Sequence, residues 1–475
     1  MRIGIVASEA TPFSKTGGLA DVSGSLFKVF NKLGNETYLF LPYYKETRSK
    51  INDVNKGSKI SIKIGGKNIE GRILSKEISK GMNIILIEQN GYFDRENLYG
   101  TKEGDYTDNA ERFGFFNLAV IESIKLLNLN LDILHLNDWQ TGLIPLFLKE
   151  NDMRIKTLFT IHNLAYQGNF QKGILELLQI DEKYFNIDGI EFYNNLSFLK
   201  TGIVYSDFIS TVSPTYAKEI LTEEFGERLD GILKARKDKL VGILNGIDYK
   251  IWNPEKDKNI YKNYSIESLD LKKENKFYLG QKLVLDFHQD PPLFGMVSRL
   301  ATQKGVDILV EALKDLSKKE EIRVVILGTG EKNLEEGLKA LEEEYKSKIR
   351  VIIGFDEPLS HNIYAASDFF LMPSKYEPCG LGQIISLKYG TIPVVKETGG
   401  LKDTIDNFND YTQCGNGFSF DEYSSEALAN TIKRAFKVYN DRTKFYNLRK
   451  VAMNCDFSWE NSGKKYLELF KKMMR

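Results

Sequence analysis

Cysteine is scarce in this sequence. Cys379, Cys414 and Cys455 are the three cysteines of a chain of 475 residues. Their odd number and scattered positions argue against a disulfide framework and against a cysteine zinc site. The cysteine content therefore predicts a protein of the reducing cytoplasm.

Long hydrophobic runs and an excess of charge of one sign are also missing. No window approaches about eighteen uninterrupted apolar residues, and the opening MRIGIVAS carries no basic leader, so we expect neither export nor membrane insertion and a fold that begins at residue 1. Lys and Arg total 65, as do Asp and Glu. This balance gives no long-range field that favours nucleic acid or an anionic membrane as a partner. Any phosphate site must be local.

Proline is rare too, and the rest of the composition is that of a globular protein. Only 11 prolines occur, while 42% of the residues are hydrophobic, which excludes the disordered and fibrous classes. A chain of this length is too long for one hydrophobic core, and two domains are the simplest count.

Short apolar runs bounded by turn residues predict buried strands in the first half of the chain. These runs are 2–8, 37–42, 132–137, 157–162 and 207–213. Apolar residues at three- and four-residue spacing predict helices between them, for example over 18–35 and 108–128. Strand alternating with helix predicts an α/β fold with a parallel sheet. The segment 58–89 alternates with period two around Gly-Gly turns and predicts antiparallel hairpins added to that sheet.

The same alternation restarts in the second half of the chain. Its predicted strands are 293–299, 323–330, 350–355, 368–374 and 391–397. Between the halves, VGILNGIDYKIWNP supplies a Gly-Ile-Asp turn and a proline stop near Asn245. We therefore predict domains over 1–244 and 245–456, with the amphipathic segment 457–475 packing back on the first. Open parallel sheets bind ligands at the carboxyl ends of their strands, and two such sheets that face each other would form a cleft.

A glycine-rich turn follows the first predicted strand. In KTGGLADV, Gly17 and Gly18 open a helix, so backbone N–H groups can approach an anion without a Cβ in the way. Lys15 adds a mobile positive charge. An ordinary strand-to-helix turn is the alternative interpretation.

The glycine pattern recurs in ETGGLKDT, where Thr398, Gly399 and Gly400 follow a predicted strand of the second half, and we expect this second turn to contact the same ligand as the first. A GTG at 328–330 also follows a strand, but the third glycine of a dinucleotide fingerprint is missing. An NAD-dependent oxidoreductase is therefore an alternative class that this motif disfavours.

Charged residues follow two other predicted strands of the second half. In VSRLATQKGVD, Arg299 and Lys304 could grip a diphosphate with a guanidinium and an ammonium. A solvated basic loop would explain the pair alone. Glu377, in PSKYEPCGLGQ, adds a carboxylate. A carboxylate beside a basic pair suits a sugar bound next to phosphate.

Two polar residues follow strands of the first half. His162 ends the run FTIH, and Asp138 with Trp139 follows the run ILHLN. A carboxylate beside a large ring is common in sugar sites, although a structural histidine and a buried tryptophan would give the same pattern.

Together these motifs resemble the bacterial glycogen synthases and the plant starch synthases. The matching segments occur in the family's order and spacing along nearly the whole chain: KTGGLADV, YTDNAERFGFF, HLNDWQTGL, FTIHNLAYQG, GILNGIDYKIWNP, VSRLATQKGVD, PSKYEPCGLGQ and ETGGLKDT. The resemblance implies a GT-B glycosyltransferase with two facing Rossmann-like, doubly wound domains. It also implies transfer of glucose from ADP-glucose to the nonreducing end of an α-1,4-glucan such as glycogen, with retention of configuration and without a metal or other cofactor.

The resemblance also implies roles for most of the candidate residues. Arg299 and Lys304 match the residues that bind the diphosphate. Lys15 and the Gly17–Gly18 turn match a loop that approaches the diphosphate from the other domain. Glu377 matches the carboxylate that holds the donor sugar. Gly380 and Leu381 match backbone donors to the sugar and the phosphate, and His162 matches a histidine beside the reacting carbon. Phe355 falls where the family usually stacks a tyrosine on adenine. The residues that match the lining of the cleft are Asp138, Trp139 and Asn245.

The sequence departs from the family at two positions. Gly382 stands where several relatives carry threonine, and Ile385 stands where related retaining transferases carry a second glutamate. The second departure argues against a mechanism that uses two glutamates. UDP-glucose as donor, a non-catalytic glucan-binding protein and a pyridoxal-phosphate-dependent glucan phosphorylase stay open as alternatives, and the sequence does not fix the oligomeric state.

Overall fold

The structure of the protein is a computed structural model that describes residues 1–55 and 57–475. The chain divides into two compact units. The first unit contains Met1–Ile243 and Trp459–Arg475, and the second contains Leu244–Ser458. Each unit has its own sheet and its own hydrophobic core.

The first unit is built around a nine-stranded sheet. Its strands, with those of two small sheets, are β1 (Arg2–Val6), β2 (Glu36–Pro42), β3 (Lys59–Ile64), β4 (Lys67–Ser79), β5 (Met82–Glu88), β6 (Gly100–Thr101), β7 (Gly104–Asp105), β8 (Ile133–Asn137), β9 (Lys156–Ile161), β10 (Asn169–Gln171), β11 (Glu191–Phe192), β12 (Asn195–Ser197), β13 (Phe208–Thr211) and β14 (Leu240–Gly242). The large sheet has the order β14-β13-β9-β8-β1-β2-β5-β4-β3.

Most of this sheet is parallel, as the sequence predicts. Strands β14 to β5 pair in parallel, and β3 and β4 add an antiparallel hairpin at one edge. The predicted insertion 58–89 therefore forms hairpins, but its last strand, β5, also pairs in parallel with β2. The strands are apolar along their length because helices cover a parallel sheet on both faces.

The helices of the first unit connect and cover these strands. They are α1 (Gly18–Lys32), α2 (Lys45–Lys50), α3 (Asn90–Phe93), α4 (Asn109–Leu126), α5 (Ile144–Glu150), α6 (Ile174–Leu177), α7 (Phe198–Tyr205), α8 (Pro214–Glu219) and α9 (Asp230–Ala235), with the last helix of the chain, α18 (Trp459–Met473). None of the helices within the described residues is long and apolar enough to cross a membrane.

The last helix completes the core of the first unit. Helix α18 lies against α1, where a Cβ on Gly463 would come within 2.4 Å of Val29. The rings of Phe470 and Phe30 meet edge to face with centroids 5.5 Å apart. Tyr466 and Phe470 are fully buried in the same cluster as the strands β1 and β2.

The second unit contains a six-stranded sheet that is parallel throughout. Its strands are β15 (Leu293–Val297), β16 (Arg323–Gly328), β17 (Ile349–Ile353), β18 (Phe369–Met372), β19 (Ile392–Lys396) and β20 (Phe418–Phe420), in the order β17-β16-β15-β18-β19-β20. Its helices are α10 (Lys272–Leu283), α11 (Val306–Lys319), α12 (Lys332–Glu344), α13 (Glu357–Ala366), α14 (Gly382–Lys388), α15 (Gly399–Thr404), α16 (Ser425–Asn440) and α17 (Arg442–Met453).

The strand order of the second sheet places three chemistry-bearing loops side by side. Strands β15, β18 and β19 are neighbours, and their carboxyl ends lead into the loops that carry Arg299, Glu377 and Thr398. In the first unit, the neighbouring strands β1, β8 and β9 lead in the same way into the glycine turn, Asp138 and His162. Both groups of loops therefore lie where open parallel sheets bind ligands.

Candidate active site

In the first unit, the glycine turn that follows β1 is held by a buried carboxylate. Glu9 accepts hydrogen bonds from the backbone N–H of Thr16 at 2.5 Å and from the Thr16 hydroxyl at 2.8 Å. The N–H of Gly17 also donates to it. Burial raises the pKa of Glu9 above its ordinary value, against these hydrogen bonds. A carboxyl group of the protein itself thus occupies the N–H groups at the start of the turn.

The next residue of the turn is open. Helix α1 begins at Gly18, and a Cβ built there would meet no atom of the described residues within 4 Å. Packing therefore does not demand a glycine at this position, and because Gly18 is exposed, an anion could reach the start of α1. Lys15 lies beside them, with its ammonium 2.9 Å from the Asp21 carboxylate on the exposed surface.

Asp138 and His162 form a second polar group at the ends of β8 and β9. The His162 N–H donates to Asp138 Oδ1 at 2.8 Å. Asp138 has a φ of 56°, a backbone conformation that residues other than glycine rarely adopt. Burial raises the pKa of Asp138 to about 7, although the hydrogen bonds from the backbone of His162 and Asn163 oppose the shift.

The His162 ring is held in one protonation state. Its Nε2 lies 3.0 Å from Asn137 Oδ1, and the Asn137 amide N–H groups donate to the carbonyls of Val6 and His135. Asn137 Oδ1 is therefore an acceptor, so Nε2 carries the hydrogen. Burial lowers the pKa of His162 to about 3, so the ring is neutral at physiological pH and Nδ1 keeps a lone pair. Such a ring can accept a hydrogen bond from a sugar hydroxyl but cannot serve as a cation.

Trp139 does not present its ring to a ligand. Its side chain is only 9% exposed and packs edge to face on Phe113, with centroids 5.1 Å apart, and against Phe170 and Phe198. A Cβ on Gly168 would touch the indole at 2.5 Å. The burial that the sequence left open as an alternative accounts for this tryptophan.

In the second unit, Lys304 and Glu377 form a close ion pair. Lys304 Nζ lies 2.5 Å from Glu377 Oε2, and the Ser374 hydroxyl donates to the same oxygen at 3.1 Å. The two loops approach because Gly305 has a φ of 73° and no side chain: a Cβ there would lie 2.0 Å from the Pro373 carbonyl oxygen. Glu377 is 6% exposed, so the pair is partly removed from water.

Arg299 lies at the same edge and is positioned by a glutamine. Its guanidinium donates to Gln303 Oε1 at 3.0 Å, and the Gln303 carbonyl accepts from the N–H of Lys375 at 2.9 Å. Gln303 therefore links the Arg299 side chain to the loop that carries Glu377. The structure brings Arg299, Lys304 and Glu377 together at the ends of adjacent strands, and a diphosphate could accept from both cations there.

The glycines of ETGG have a different environment from those of KTGG. Gly399 has a φ of 44°, and a Cβ on it would lie 2.0 Å from the Glu377 carbonyl oxygen. A Cβ on Gly400 would lie 2.1 Å from the Cys379 carbonyl oxygen. Packing against the loop 377–379 therefore requires both glycines. Thr398, which precedes them, is buried and has extended backbone.

The remaining candidates of the second unit surround this loop. Gly380 has a φ of 73°, which lets the chain turn into Leu381 and the start of α14 at Gly382. Asn245 is buried beside Cys379, whose thiol pKa burial raises to about 12 in spite of hydrogen bonds from Asn245. The Asn245 Oδ1 atom is buried without a hydrogen-bond partner among the described residues.

Phe355 stands apart from the other candidates. It follows β17, two strands away from β15, and its side chain is 91% exposed. Nothing in its own unit covers the ring, so both faces are available for stacking.

Three polar residues of the site have no place in the sequence prediction: Glu9, Gln303 and Ser374. Glu9 follows the first strand in ASEA, and an acidic residue directly after a buried strand is the signal that could have found it. Gln303 and Ser374 lie beside predicted site residues, but their contacts depend on loops that are distant in sequence.

Comparison with known proteins assigns the chain to a family. Residues 2–235 match the starch synthase catalytic domain, and residues 281–450 match the glycosyl transferases group 1. The glycogen synthase of Thermodesulfovibrio yellowstonii is 46% identical over 491 residues, which cover 99% of this chain and 97% of that relative. The chain belongs to the glycogen synthase family. The glycogen synthase of Clostridium beijerinckii is 44% identical, with 100% of this chain and 99% of that relative covered.

Solved structures of glycosyltransferases agree with this membership. The catalytic domain of Starch Synthase IV from Arabidopsis thaliana, bound to ADP and acarbose, matches with a TM-score of 0.89 at 31% identity, covering 100% of this chain and 99% of that one. Sucrose-phosphate synthase from Thermosynechococcus elongatus, at 17% identity and a TM-score of 0.63, shares the fold. This member of the glycogen synthase family is therefore a GT-B glycosyltransferase, and the predicted fold class and enzyme class are confirmed.

Proposed function

We propose that the enzyme transfers glucose from ADP-glucose to the nonreducing end of an α-1,4-glucan, with retention of configuration and without a metal ion. The observation that carries this proposal is the convergence of Arg299, Lys304 and Glu377 at the ends of adjacent strands. The two cations can bind a diphosphate, and the buried carboxylate beside them can accept hydrogen bonds from the hydroxyls of the attached sugar. A relative of the same fold binds ADP and acarbose, a nucleotide and a glucan-like ligand.

Departure of the diphosphate is the step that these cations would accelerate. When the bond between C1 and the leaving oxygen breaks, its electron pair moves to the diphosphate and the sugar gains oxocarbenium character. Arg299 and Lys304 stabilise the charge that grows on the diphosphate, and such electrostatic stabilisation is usually the largest contribution to catalysis. Lys304 is held by Glu377 at 2.5 Å, so it is already oriented before the donor binds.

The acceptor hydroxyl attacks C1 from the face that the diphosphate leaves. Its proton passes to the departing phosphate oxygen, and the new C–O bond keeps the α configuration. No protein nucleophile is assigned, since Ile385 stands where a second glutamate would be required. His162 accepts a hydrogen bond from a donor hydroxyl through Nδ1, because its Nε2 hydrogen is committed to Asn137.

The glycine turn of the first unit would contribute to the same diphosphate. Lys15 would supply a charge, and the N–H groups at the start of α1 would supply uncharged donors. Phe355 would stack on the adenine, because its ring is 91% exposed and both of its faces are accessible to a base. Gly380 and Leu381 would donate backbone hydrogen bonds to the sugar and the phosphate, and Asn245 has an unpartnered oxygen to offer a hydroxyl.

We also propose that the enzyme acts in the cytoplasm. All three cysteines are free, and Cys379 is buried with a raised thiol pKa, so the fold gains nothing from an oxidising compartment.

In the decisive experiment, the enzyme is incubated with glycogen and with either ADP-glucose or UDP-glucose in the presence of EDTA. The release of ADP or UDP is then measured. We expect ADP release with chain elongation, and new linkages that are α by NMR. Equal turnover of UDP-glucose would contradict the donor assignment. Loss of turnover in EDTA that returns with a divalent cation would contradict the metal-independent mechanism, and glucan binding without nucleotide release would contradict catalysis altogether.

A further inference from the structure

A polar cavity lies in the second unit, at the end of the sheet where strands β15 and β18 begin. Its volume is about 270 Å³, and helices α10 and α17 form its walls. Asp290 and Asp368, which precede β15 and β18, lie on its floor. The candidate donor-site residues lie at the other end of these strands. We name this cavity the α10–α17 pocket.

The walls of the α10–α17 pocket are two basic helix faces. Arg442 and Arg449 are seven residues apart on α17, hence on one face of the helix and about 10 Å apart along its axis. Lys273 and Lys276 of α10 line the pocket from the other side, together with Lys272. Like charges on facing helices repel each other unless anions lie between them.

The acidic residues of the lining are too few to balance these cations. Asp368 pairs with Arg449 and with Lys276 at 2.8 Å, and Asp290 pairs with Lys276 at 2.7 Å and with Arg442 at 3.2 Å. The pairs form a chain of alternating charge that ends in an arginine at each side. Asp270 is the third acid of the lining and lies exposed at the rim. Lys272 is left out of this balance because burial lowers its pKa well below the ordinary value, so four cations and three acids leave an excess of one positive charge.

Two lysines of the lining have no carboxylate partner among the described residues. Lys272 is fully buried and donates to the Ala365 carbonyl and the Thr391 hydroxyl, both at 2.7 Å, and burial among these neutral groups lowers its pKa well below the ordinary value. Lys273 is exposed and forms no ion pair with the described residues. The excess charge of the pocket is therefore not cancelled within the fold.

Arg449 adds a donor without an acceptor. Its Nε is buried and has no hydrogen-bond partner among the described residues, whereas its Nη2 donates to Asp368 and its plane covers the Phe445 ring at 4.2 Å. A buried guanidinium N–H without a partner costs free energy that an anionic oxygen in the pocket would recover. Tyr446 and Leu269 make part of the lining apolar.

We propose that the α10–α17 pocket binds a small phosphomonoester, whose dianionic phosphate meets Arg442, Arg449 and Lys273 and whose organic part packs on Tyr446 and Leu269. The negative charge of the phosphate matches the net positive charge of the lining, and guanidinium groups suit phosphate oxygens because they donate two parallel hydrogen bonds. This site is separate from the proposed donor site and does not depend on the identity of the sugar nucleotide.

The test is calorimetric titration of the full-length protein with glycerol 3-phosphate and with inorganic phosphate at constant ionic strength. The donor site also offers cations to phosphate, so each ligand is titrated into three forms: the wild type, Lys304→Ala, and the double variant Lys273→Gln with Arg442→Gln. Lys273 and Arg442 are largely exposed, so the double variant is expected to fold. The double variant Lys314→Gln with Lys318→Gln removes two exposed charges of α11 in the same unit and is the matched control.

We expect binding that survives Lys304→Ala, weakens at least tenfold in the Lys273 and Arg442 double variant, and changes less than twofold in the control. The ester should bind more tightly than inorganic phosphate because only the ester reaches the apolar lining. Binding that disappears in Lys304→Ala and persists in the pocket variant would place the anion in the donor site and overturn the proposal. Equal loss in the pocket variant and the control, tighter binding of inorganic phosphate, or no binding to the wild type would overturn it too.

Discussion

The N–H of Gly400 donates a hydrogen bond of 3.1 Å to the carbonyl oxygen of Glu377. This contact ties the second Thr-Gly-Gly turn to the loop that carries the donor-site carboxylate. Its glycines are required because that loop lies against them, whereas Gly18 of the first turn faces open space. The same four-residue pattern therefore meets two physical needs: close packing of backbone in one unit, and an unobstructed helix start in the other.

Alanine at the two turns should separate these needs. Gly400→Ala places a Cβ 2.1 Å from the Cys379 carbonyl oxygen, so we expect a loss of about 1–3 kcal/mol in stability with a displaced Glu377 loop and reduced turnover. The Cβ of Gly18→Ala meets no atom of the described residues within 4 Å, so the melting temperature of this variant should stay near that of the wild type while kcat/KM falls. Melting curves and kinetics on both variants decide, and a stability loss at Gly18 equal to that at Gly400 would contradict the assignment.

Removing Lys304 should reduce catalysis and stability for different reasons. We expect Lys304→Ala to lower kcat by about 10²–10³, the usual range for one preorganised electrostatic contact. It also leaves the buried Glu377 carboxylate without its cation, so the melting temperature should fall.

A second substitution separates the two effects of Lys304. Glu377→Gln in the Lys304→Ala background removes the unpaired charge, so stability should return while turnover stays low. If Lys304→Ala alone kept near-native turnover, the proposed role of this cation in diphosphate departure would be refuted.

The Glu9 carboxylate should act on catalysis through the glycine turn that it holds. Glu9→Gln places an amide where two N–H groups and a hydroxyl converge, so we expect kcat/KM for ADP-glucose to fall about tenfold, the value of one charge-assisted hydrogen bond. The melting temperature should not fall, because burial already disfavours the charged form of Glu9. Glu9→Asp should recover part of the activity, and Glu36→Gln, at an exposed ion pair on β2, is the control. A melting-temperature loss with unchanged kinetics would make Glu9 a purely structural residue.

Asp138 should make stability depend on pH in a direction opposite to that of an ordinary aspartate. Its pKa is about 7 in the folded protein, against an ordinary value of about 4, so between these values the folded state holds a proton that the unfolded state has lost. This group therefore adds stability as pH falls through that window and costs stability above pH 7. Asp138→Asn should be more stable than the wild type at pH 8 and nearly equal to it at pH 4. Denaturant unfolding at both values is the measurement, and a variant that is less stable at pH 8 would show that the carboxylate charge is needed.

Phe355 should affect donor binding without affecting stability. Its ring has no contacts to lose in its own unit, so Phe355→Ala should melt like the wild type while the KM for ADP-glucose rises by about tenfold, from lost stacking on the base. Phe355→Tyr keeps the aromatic face and should preserve the KM. An unchanged KM in the alanine variant would remove Phe355 from the adenine site.

The sheets were predictable from sequence, whereas the contacts between loops were not. Buried parallel strands such as β1 and β15 leave continuous apolar runs, and glycine turns mark their ends, so the strands and the positions of Arg299, Glu377 and His162 followed from local pattern. The hold of Glu9 on Thr16 was not predictable, because a carboxylate in the sequence carries no sign of the N–H groups it will meet.

Residues with the same local signature also proved physically different. Trp139 and Phe355 are both aromatic residues after a strand, but one is enclosed by Phe113 and Phe170 and the other is exposed. The repeated Thr-Gly-Gly sequence does not indicate that only the second copy is packed against backbone. In both cases, residues far along the chain decide the environment, and a single sequence does not record their positions.

Because helix α18 belongs to the first unit but lies at the end of the sequence, we expect the two units to complete folding at different stages of synthesis. The second unit is one continuous stretch of chain, so all of it has been synthesised before the last seventeen residues emerge. The first unit starts earlier but cannot cover Phe30 and its neighbours until Tyr466 and Phe470 arrive. We therefore expect the first unit to keep part of its apolar surface uncovered during translation, whereas the second unit can fold before α18 is available.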